Sequence, residues 1–130
     1  MEIEVTRSVI VQLSGEAISA LADECCGLLF GQRQIDHIEP ARNVHPDPER
    51  NFEIDPKALI DAHRAARQGG LRLRGYYHSH PSGPAEPSAT DKARATGDGM
   101  IWAIIGKGAI TFWRDWEQGF EPIVTRIVEK

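Results

Sequence analysis

The most informative part of the sequence is LRLRGYYHSHPSGPAEPSATD, residues 71–91. Its first ten residues predict a β-strand, which ends at Pro81 because proline has no backbone N–H to give to a sheet. The prolines that follow predict an ordered loop, and Ser88 is a favourable N-cap for a short helix that extends to about Thr96. A strand, a loop and a helix are therefore expected in close succession.

The predicted strand places two histidines on one face. Residues two apart on a strand share a face, so His78 and His80 can present both imidazoles to one metal ion. Asp91 falls in the first turn of the following helix, where its carboxylate can supply a third ligand. Two histidines and one carboxylate leave a coordination position open, as in catalytic zinc sites, and the same set also suits iron in oxygenases.

A hydrolytic metal site also needs a base for the attacking water, and Glu24 is the candidate. It is predicted to stand at the end of a helix over residues 7–23, immediately before the apolar run CCGLLF. A carboxylate in that position faces a desolvation cost unless it has a partner or a task. We therefore expect Glu24 to approach the metal site.

Each of these signals has a simpler structural interpretation when it is taken alone. A His-x-His pair is often structural or exposed, and an isolated glutamate at a helix end is usually solvated. Ser88 and Asp91 have the spacing of a capping box, in which the carboxylate also benefits from the helix dipole. The joint occurrence of the signals is what points to a catalytic site.

The rest of the chain alternates predicted strands and helices and contains no internal repeat. Residues 25–30 predict a strand that is covered on both faces, and Asp55 with Pro56 begins a helix that ends before Gly69. Further strands are predicted at residues 1–5, 35–44, 100–105, 109–114 and 122–128. This order predicts an α/β or α+β fold, a sheet with helices packed on it, in a single domain over residues 1–130.

The composition narrows the classes of partner and compartment. The chain has 130 residues and a net charge of −4, which argues against a nucleic-acid partner because phosphate binding needs clustered Lys and Arg. No apolar run approaches the roughly 20 residues that span a bilayer, and the N-terminus lacks the pattern of a secretion signal. Adjacent Cys25 and Cys26 point to opposite faces of a strand, which disfavours a disulfide between them and favours a reducing, cytoplasmic setting.

The two patterns E-x-x-G-x-L-x-G and HSHP-x6-S-x-x-D together resemble the JAMM signature of the MPN-domain (Mov34/MPN/PAD-1-like) zinc metalloproteases, in their short prokaryotic form. The matching residues are Glu24, Gly27, Leu29, Gly31, His78, Ser79, His80, Pro81, Ser88 and Asp91. The resemblance implies one MPN/JAB domain with a curved mixed β-sheet flanked by helices, similar to cytidine deaminases.

The resemblance also implies roles for individual residues. One Zn²⁺ per chain would be held by His78, His80 and Asp91, Glu24 would act as base and acid, and Ser88 would donate a hydrogen bond to the oxyanion. The implied enzyme is a zinc metallopeptidase, a deubiquitinase-like isopeptidase. Its substrate would be the peptide or isopeptide bond after the C-terminal tail of a ubiquitin-like or sulfur-carrier β-grasp protein, and that tail is expected to lie near Asn43 and residues 52–54.

Alternatives remain open at this point. A non-catalytic MPN-type scaffold that binds another protein is the main one, although such domains usually lack one or more of the ligands. A deaminase would need H-x-E followed by P-C-x-x-C, and that combination is absent. A cell-wall or tail-associated endopeptidase is a further alternative. The sequence does not fix the substrate protein, the leaving group or the oligomeric state, a homodimer included.

Overall fold

The computed structural model describes residues 2–129 of the chain. These residues form one seven-stranded mixed sheet and three helices. The strands are β1 (Glu2–Thr6), β2 (Cys26–Phe30), β3 (His37–Ala41), β4 (Leu73–His80), β5 (Ile101–Gly106), β6 (Ala109–Trp116) and β7 (Gly119–Val128), and the helices are α1 (Arg7–Ala20), α2 (Pro56–Arg67) and α3 (Ala89–Arg94). Met1 and Lys130, the ends of the predicted domain, lie outside the described residues. None of these helices has both the length and the hydropathy needed to cross a bilayer.

The order of the strands is β1-β7-β6-β5-β4-β2-β3, with parallel pairing between β4 and β5 and between β1 and β7. The sheet curves until its two ends approach each other. Ile35, just before β3, donates its N–H to the Glu4 carbonyl at 2.9 Å and accepts the Thr6 N–H at 3.0 Å. The predicted curved mixed sheet with flanking helices is therefore confirmed.

Two hydrophobic clusters cover the two faces of the sheet. The first packs under α1 and includes Leu13 and Tyr77, and the second packs under α2 and includes Leu28 and Leu73. β2 is buried at all five positions because it separates the clusters, as its apolar run predicted. Cys25 packs against the first cluster and Cys26 belongs to the second, and both thiols are free.

Several predicted boundaries are wrong, and one of them matters for the site. α1 ends at Ala20 rather than Asp23, because Leu21 adopts a φ of 57° and turns its N–H back to the Ile18 carbonyl. No glycine or proline in the sequence marks this stop. Glu24 therefore lies beyond the helix, in an irregular segment, and not at the helix end.

The other differences concern strand and helix ends. β3 is shorter than residues 35–44, since Asn43 leaves the ladder and bridges to Ile54 instead. β7 begins at Gly119, three residues earlier than predicted, because Gly119 pairs with Trp116 across a tight turn. β4 starts at Leu73 rather than at residue 71, and α3 ends at Arg94, before the predicted end.

Candidate metal centre

The end of β4 and the start of α3 bring the three predicted ligands together. The Nε2 atoms of His78 and His80 lie 3.1 Å apart, and each lies 3.1 Å from Asp91 Oδ2. Within residues 2–129, no other group of three or more histidine, cysteine or carboxylate side chains converges in this way. His78 and Asp91 are buried, while the side chain of His80 is 10% exposed. The three donor atoms form a nearly equilateral triangle.

The chemistry of these donors fits a cation. His80 Nδ1 lies 2.8 Å from the Pro84 carbonyl oxygen, and because a carbonyl can only accept, Nδ1 carries the proton. In the neutral ring the lone pair of Nε2 then faces the carboxylate of Asp91, a repulsive arrangement until a positive charge lies between them. A tetrahedral zinc ion holds its nitrogen and oxygen ligands roughly 3.3–3.4 Å apart, close to the observed triangle.

Asp91 is oriented by the first turn of its own helix. Ser88 Oγ accepts the Asp91 N–H at 3.0 Å, and Asp91 Oδ2 accepts the Ser88 N–H at 2.9 Å, so the predicted capping box is confirmed. The same Oδ2 faces both imidazoles, and the cap therefore fixes the ligand as well as the helix. Within residues 2–129 the Ser88 hydroxyl is thus used as an acceptor, and its proton has no acceptor there.

The protonation of the three groups is coupled. Burial lowers the pKa of His78. Burial would raise the pKa of Asp91, but the interactions of its carboxylate with the His78 and His80 imidazoles outweigh burial and hold that pKa well below its usual range. Burial also opposes charge on His80, yet its bonds to Asp91 and to the Pro84 carbonyl raise its pKa. The centre is thus built around a carboxylate that stays ionised and favours a positively charged partner.

Glu24 lies beside this centre although it is not in the expected element. It is 7% exposed, and together with His80 and Ser88 it lines a pocket of about 340 Å³. Burial raises the pKa of Glu24 to about 7, and the opposing effect of the His80 charge is smaller. A carboxyl group with a pKa near neutrality can both accept and return a proton at physiological pH.

Of the residues that were expected near the substrate tail, some line a pocket and one does not. Phe52 and Ile54 line a second pocket of about 340 Å³ with Tyr76 and Trp102, and this pocket shares no lining residue with the pocket of Glu24. Asn43 lines neither of these two pockets; its side chain is used in hydrogen bonds to the backbone of neighbouring segments. The other three histidines of the chain, His37, His45 and His63, lie outside the metal-binding group.

Two aromatic contacts to the metal centre were missed by sequence analysis. The ring of Phe52 stacks on the ring of His78, with 4.2 Å between centroids and 18° between planes. Trp102 meets the same imidazole edge-on at 5.7 Å and 86°. A single large aromatic residue in the polar loop before α2 was the available signal for Phe52. Trp102 gave none, because its position depends on the register of β5 against β4.

Residues 6–117 match the family model described as prokaryotic homologs of the JAB domain. The chain belongs to this family. The chain is 38% identical over 87 residues to the probable TtuB-protein conjugate cleaving protease of Thermus thermophilus, covering 67% of this chain and 59% of that protein. It is 36% identical over 84 residues to the desampylase of Haloferax volcanii, covering 62% and 60% of the two chains. The match thus spans about three fifths of the length of these two relatives.

A third relative and two solved structures extend the JAB-family comparison. The desampylase of Pyrococcus furiosus is 32% identical over 100 residues, covering 75% of this chain and 71% of that protein. A protein from Desulfitobacterium hafniense, DSY2949, superimposes with a TM-score of 0.87 at 27% identity, covering 100% of this chain and 94% of the other. AF2198, a JAB1/MPN domain protein of Archaeoglobus fulgidus, has a TM-score of 0.65 at 20% identity, covering 98% and 97%, and shares the fold.

Proposed function

We propose that this protein is a zinc-dependent metallopeptidase that cleaves the peptide or isopeptide bond after the C-terminal tail of a ubiquitin-like or sulfur-carrier protein. The observation that carries the proposal is the triangle of His78, His80 and Asp91, with Glu24 and Ser88 lining the adjoining pocket. An open three-ligand site next to a buried carboxyl group is the arrangement of a catalytic zinc centre rather than a structural one.

The chain's own residues would divide the chemistry between them. A bound zinc ion would polarise the scissile carbonyl and lower the pKa of the attacking water. Glu24 takes a proton from that water as the new C–O bond forms, and it returns the proton to the nitrogen as the C–N bond breaks. The hydroxyl proton of Ser88 donates to the oxyanion, a contact of the kind that contributes roughly 2.7–4 kcal/mol in other hydrolases.

The substrate class rests on the relatives and on the shape of the site. The relatives bear the names desampylase and TtuB-protein conjugate cleaving protease. Phe52 and Trp102, whose rings contact His78, line a pocket with Ile54 and Tyr76. This pocket would receive the extended tail of such a protein. We expect the enzyme to act in the cytoplasm on this protein substrate, without a nucleic-acid or membrane partner, in keeping with its two free cysteines and net charge of −4.

The direct test uses carrier proteins that bear C-terminal extensions, incubated with the zinc-loaded enzyme and read by intact mass. Cleavage directly after the tail, abolished by a chelator, is the expected result. Glu24→Gln should retain zinc and lose about 10²–10⁴-fold in rate, because it removes the proton-transfer group without changing its shape. Glu49→Gln is the matched control, since Glu49 lines the same pocket but is exposed.

Two outcomes would contradict the proposal. Full activity of Glu24→Gln would exclude its role as the base. Zinc-loaded enzyme that binds the carriers tightly and cleaves none of them would instead support a non-catalytic scaffold.

A further inference from the structure

We propose that the loop between β3 and α2 holds the general base and a metal ligand in fixed relation, with Asn43 and Phe52 as its positioning residues. We call residues 43–54 the brace loop. The inference rests on the proposed function, because it assigns Glu24 and His78 their roles. It assigns no substrate contact to Asn43 and gives Phe52 a second task beyond lining a pocket.

Asn43 anchors the beginning of the brace loop through all of its amide groups. Its Nδ2 donates to the Glu24 carbonyl at 3.0 Å and to the Asn51 carbonyl at 2.9 Å. Its Oδ1 accepts the N–H of His45 at 3.1 Å and of Glu53 at 3.0 Å. A primary amide is the side chain that can donate twice and accept twice from one planar group. One side chain therefore joins both ends of the loop to the segment that carries the base.

Glu24 is held between the brace loop and the strand of the metal ligands. Its N–H donates to the Pro48 carbonyl at 2.8 Å, a second contact with the brace loop. On the other side, the Cys25 N–H donates to Ser79 Oγ at 2.9 Å, and the Ser79 N–H donates to the Cys25 carbonyl at 3.1 Å. Because α1 has already ended at Ala20, these contacts replace helical bonds in fixing the backbone of Glu24.

Phe52, near the end of the brace loop, contacts one of the three metal ligands, His78. Its ring stacks on the His78 imidazole at 4.2 Å, and its carbonyl accepts from Arg94 Nη1 at 2.5 Å. Arg94 lies on α3, the helix that carries Asp91. The stack fixes the plane of the His78 ring and so the direction of its Nε2 toward Asp91. Groups that orient a ligand in this way usually tune metal affinity.

The brace loop therefore contacts three parts of the site that lie on separate segments of the chain. Glu24 precedes β2, His78 lies on β4 and Asp91 on α3, and the loop contacts all three segments. A general base contributes only when it is held at the correct distance from its proton, and a displacement of about 1 Å can cost about a hundredfold in rate. Asn43 should thus affect turnover, and Phe52 should affect metal affinity.

The first test compares Asn43→Asp with Asn51→Asp. The Asn43 substitution keeps the two accepted bonds but loses both donations, including the one to the Glu24 carbonyl. We expect kcat to fall by about tenfold to a hundredfold, with KM and the zinc dissociation constant unchanged within about twofold. Asn51→Asp makes the same chemical change in the same loop, at a side chain outside the network, and should resemble the unmodified protein.

The second test compares Phe52→Leu with Phe120→Leu in a zinc competition assay against a chromophoric chelator. Loss of the stack should weaken zinc binding by about tenfold. Phe120 meets Trp102 edge-on at 4.9 Å and makes no ring contact with His78, so its substitution should leave the affinity unchanged. Equal affinity for Phe52→Leu and the unmodified protein, or an equal loss in Phe120→Leu, would overturn the role of Phe52.

The outcomes for Asn43 separate positioning from a general loss of structure. A wild-type kcat in Asn43→Asp, an equal loss in Asn51→Asp, or a zinc affinity that falls as far as kcat would each overturn its role. Amide hydrogen exchange gives a readout that does not need activity: exchange at Glu24 and Cys25 should accelerate in Asn43→Asp but not in Asn51→Asp. If the chain proves to be no peptidase, the exchange and zinc measurements still decide whether the brace exists.

Discussion

β4 and β5 are parallel neighbours in the middle of the sheet, but β4 ends in polar residues whereas β5 ends in apolar residues and glycine. His78 lies opposite Ile104, Ser79 opposite Ile105 and His80 opposite Gly106. All of β5 is buried, and its residues are apolar or glycine. β4 places polar side chains at the same depth, where an unpartnered polar group costs free energy. Apolar residues like those of β5 would stabilise the fold equally well at the end of β4. The polar residues there are therefore better explained by the metal centre than by the stability of the sheet.

The polar end of β4 is tolerated because each side chain finds a partner. Ser79 accepts the Cys25 N–H, and both histidines meet Asp91. The histidine contacts are complete only when a cation or a proton lies between the donor atoms. The comparison of the two strands therefore predicts that the stability of the β4 end depends on metal and pH, while that of β5 does not.

Metal should produce the largest difference between the two strands. At a zinc concentration about a thousandfold above the dissociation constant, binding should raise the free energy of unfolding by about 4 kcal/mol, measured by urea denaturation with zinc and with a chelator. Chelation should also abolish hydrolysis. His80→Gln should lose both effects, whereas Ile104→Val should keep them. An equal stabilisation of His80→Gln by zinc would contradict the assigned ligand set.

Ser88 should have the next largest effect, because it serves both the helix and the site. Ser88→Ala should lower kcat by about 10²–10³-fold through loss of the oxyanion donor and lower stability by about 1 kcal/mol through loss of the cap. Ser88→Gly separates the two contributions, since glycine restores most of an N-cap but no hydroxyl. A Ser88→Gly variant with normal turnover would reduce Ser88 to a capping residue.

The pKa of Glu24 predicts how stability without metal depends on pH. The folded protein, with a pKa of about 7 in place of 4.5, keeps a proton that the unfolded chain has released. Between these values the free energy of unfolding should therefore fall as pH rises, by at most about 3 kcal/mol from this group. Urea unfolding with chelator at about pH 5 and about pH 7.5 measures this change in the free energy of unfolding. The control is Glu24→Gln, which lacks the titrating group. Parallel pH profiles for the two proteins would show that Glu24 is not buried as described.

The smallest effect should come from the apolar strand. Ile104→Val removes one methylene group from a fully buried side chain and should cost about 1 kcal/mol in the free energy of unfolding. The zinc dissociation constant should stay the same, because Ile104 pairs with His78 in the ladder but supplies none of the ligand atoms. A matching loss of zinc affinity would mean that the two strands are not independent.

The sequence predicted the parts of the site whose geometry is local. His78 and His80 share a face because of strand alternation, and Ser88 with Asp91 forms a capping box because of helix geometry. The setting of Glu24 was predicted incorrectly, since the stop at Leu21 carries no residue signal. The roles of Asn43 and Phe52 depend on segments far apart in the chain, and single-sequence periodicity contains no information on such contacts.

The same distinction applies to the fold. Caps, prolines and apolar patterns located every strand and helix approximately, and the apolar run of β2 correctly indicated burial on both faces. The order of the strands could not be obtained from local pattern, because β4 pairs with β2 and β5 across intervening loops and helices. The motif resemblance supplied the curved mixed sheet with flanking helices, but not this order.

The bridge between Val5 and Ile35 has a consequence for how the protein behaves at high concentration. This bridge occupies the outer side of β1. In the described part of the chain, β3 (residues 37–41) therefore remains as an edge strand, with β2 as its one neighbouring strand. That strand contains Pro40, which has no N–H to offer, beside the charged Glu39. An edge strand of this composition pairs poorly with a strand of another molecule, and this disfavours fibrous aggregation.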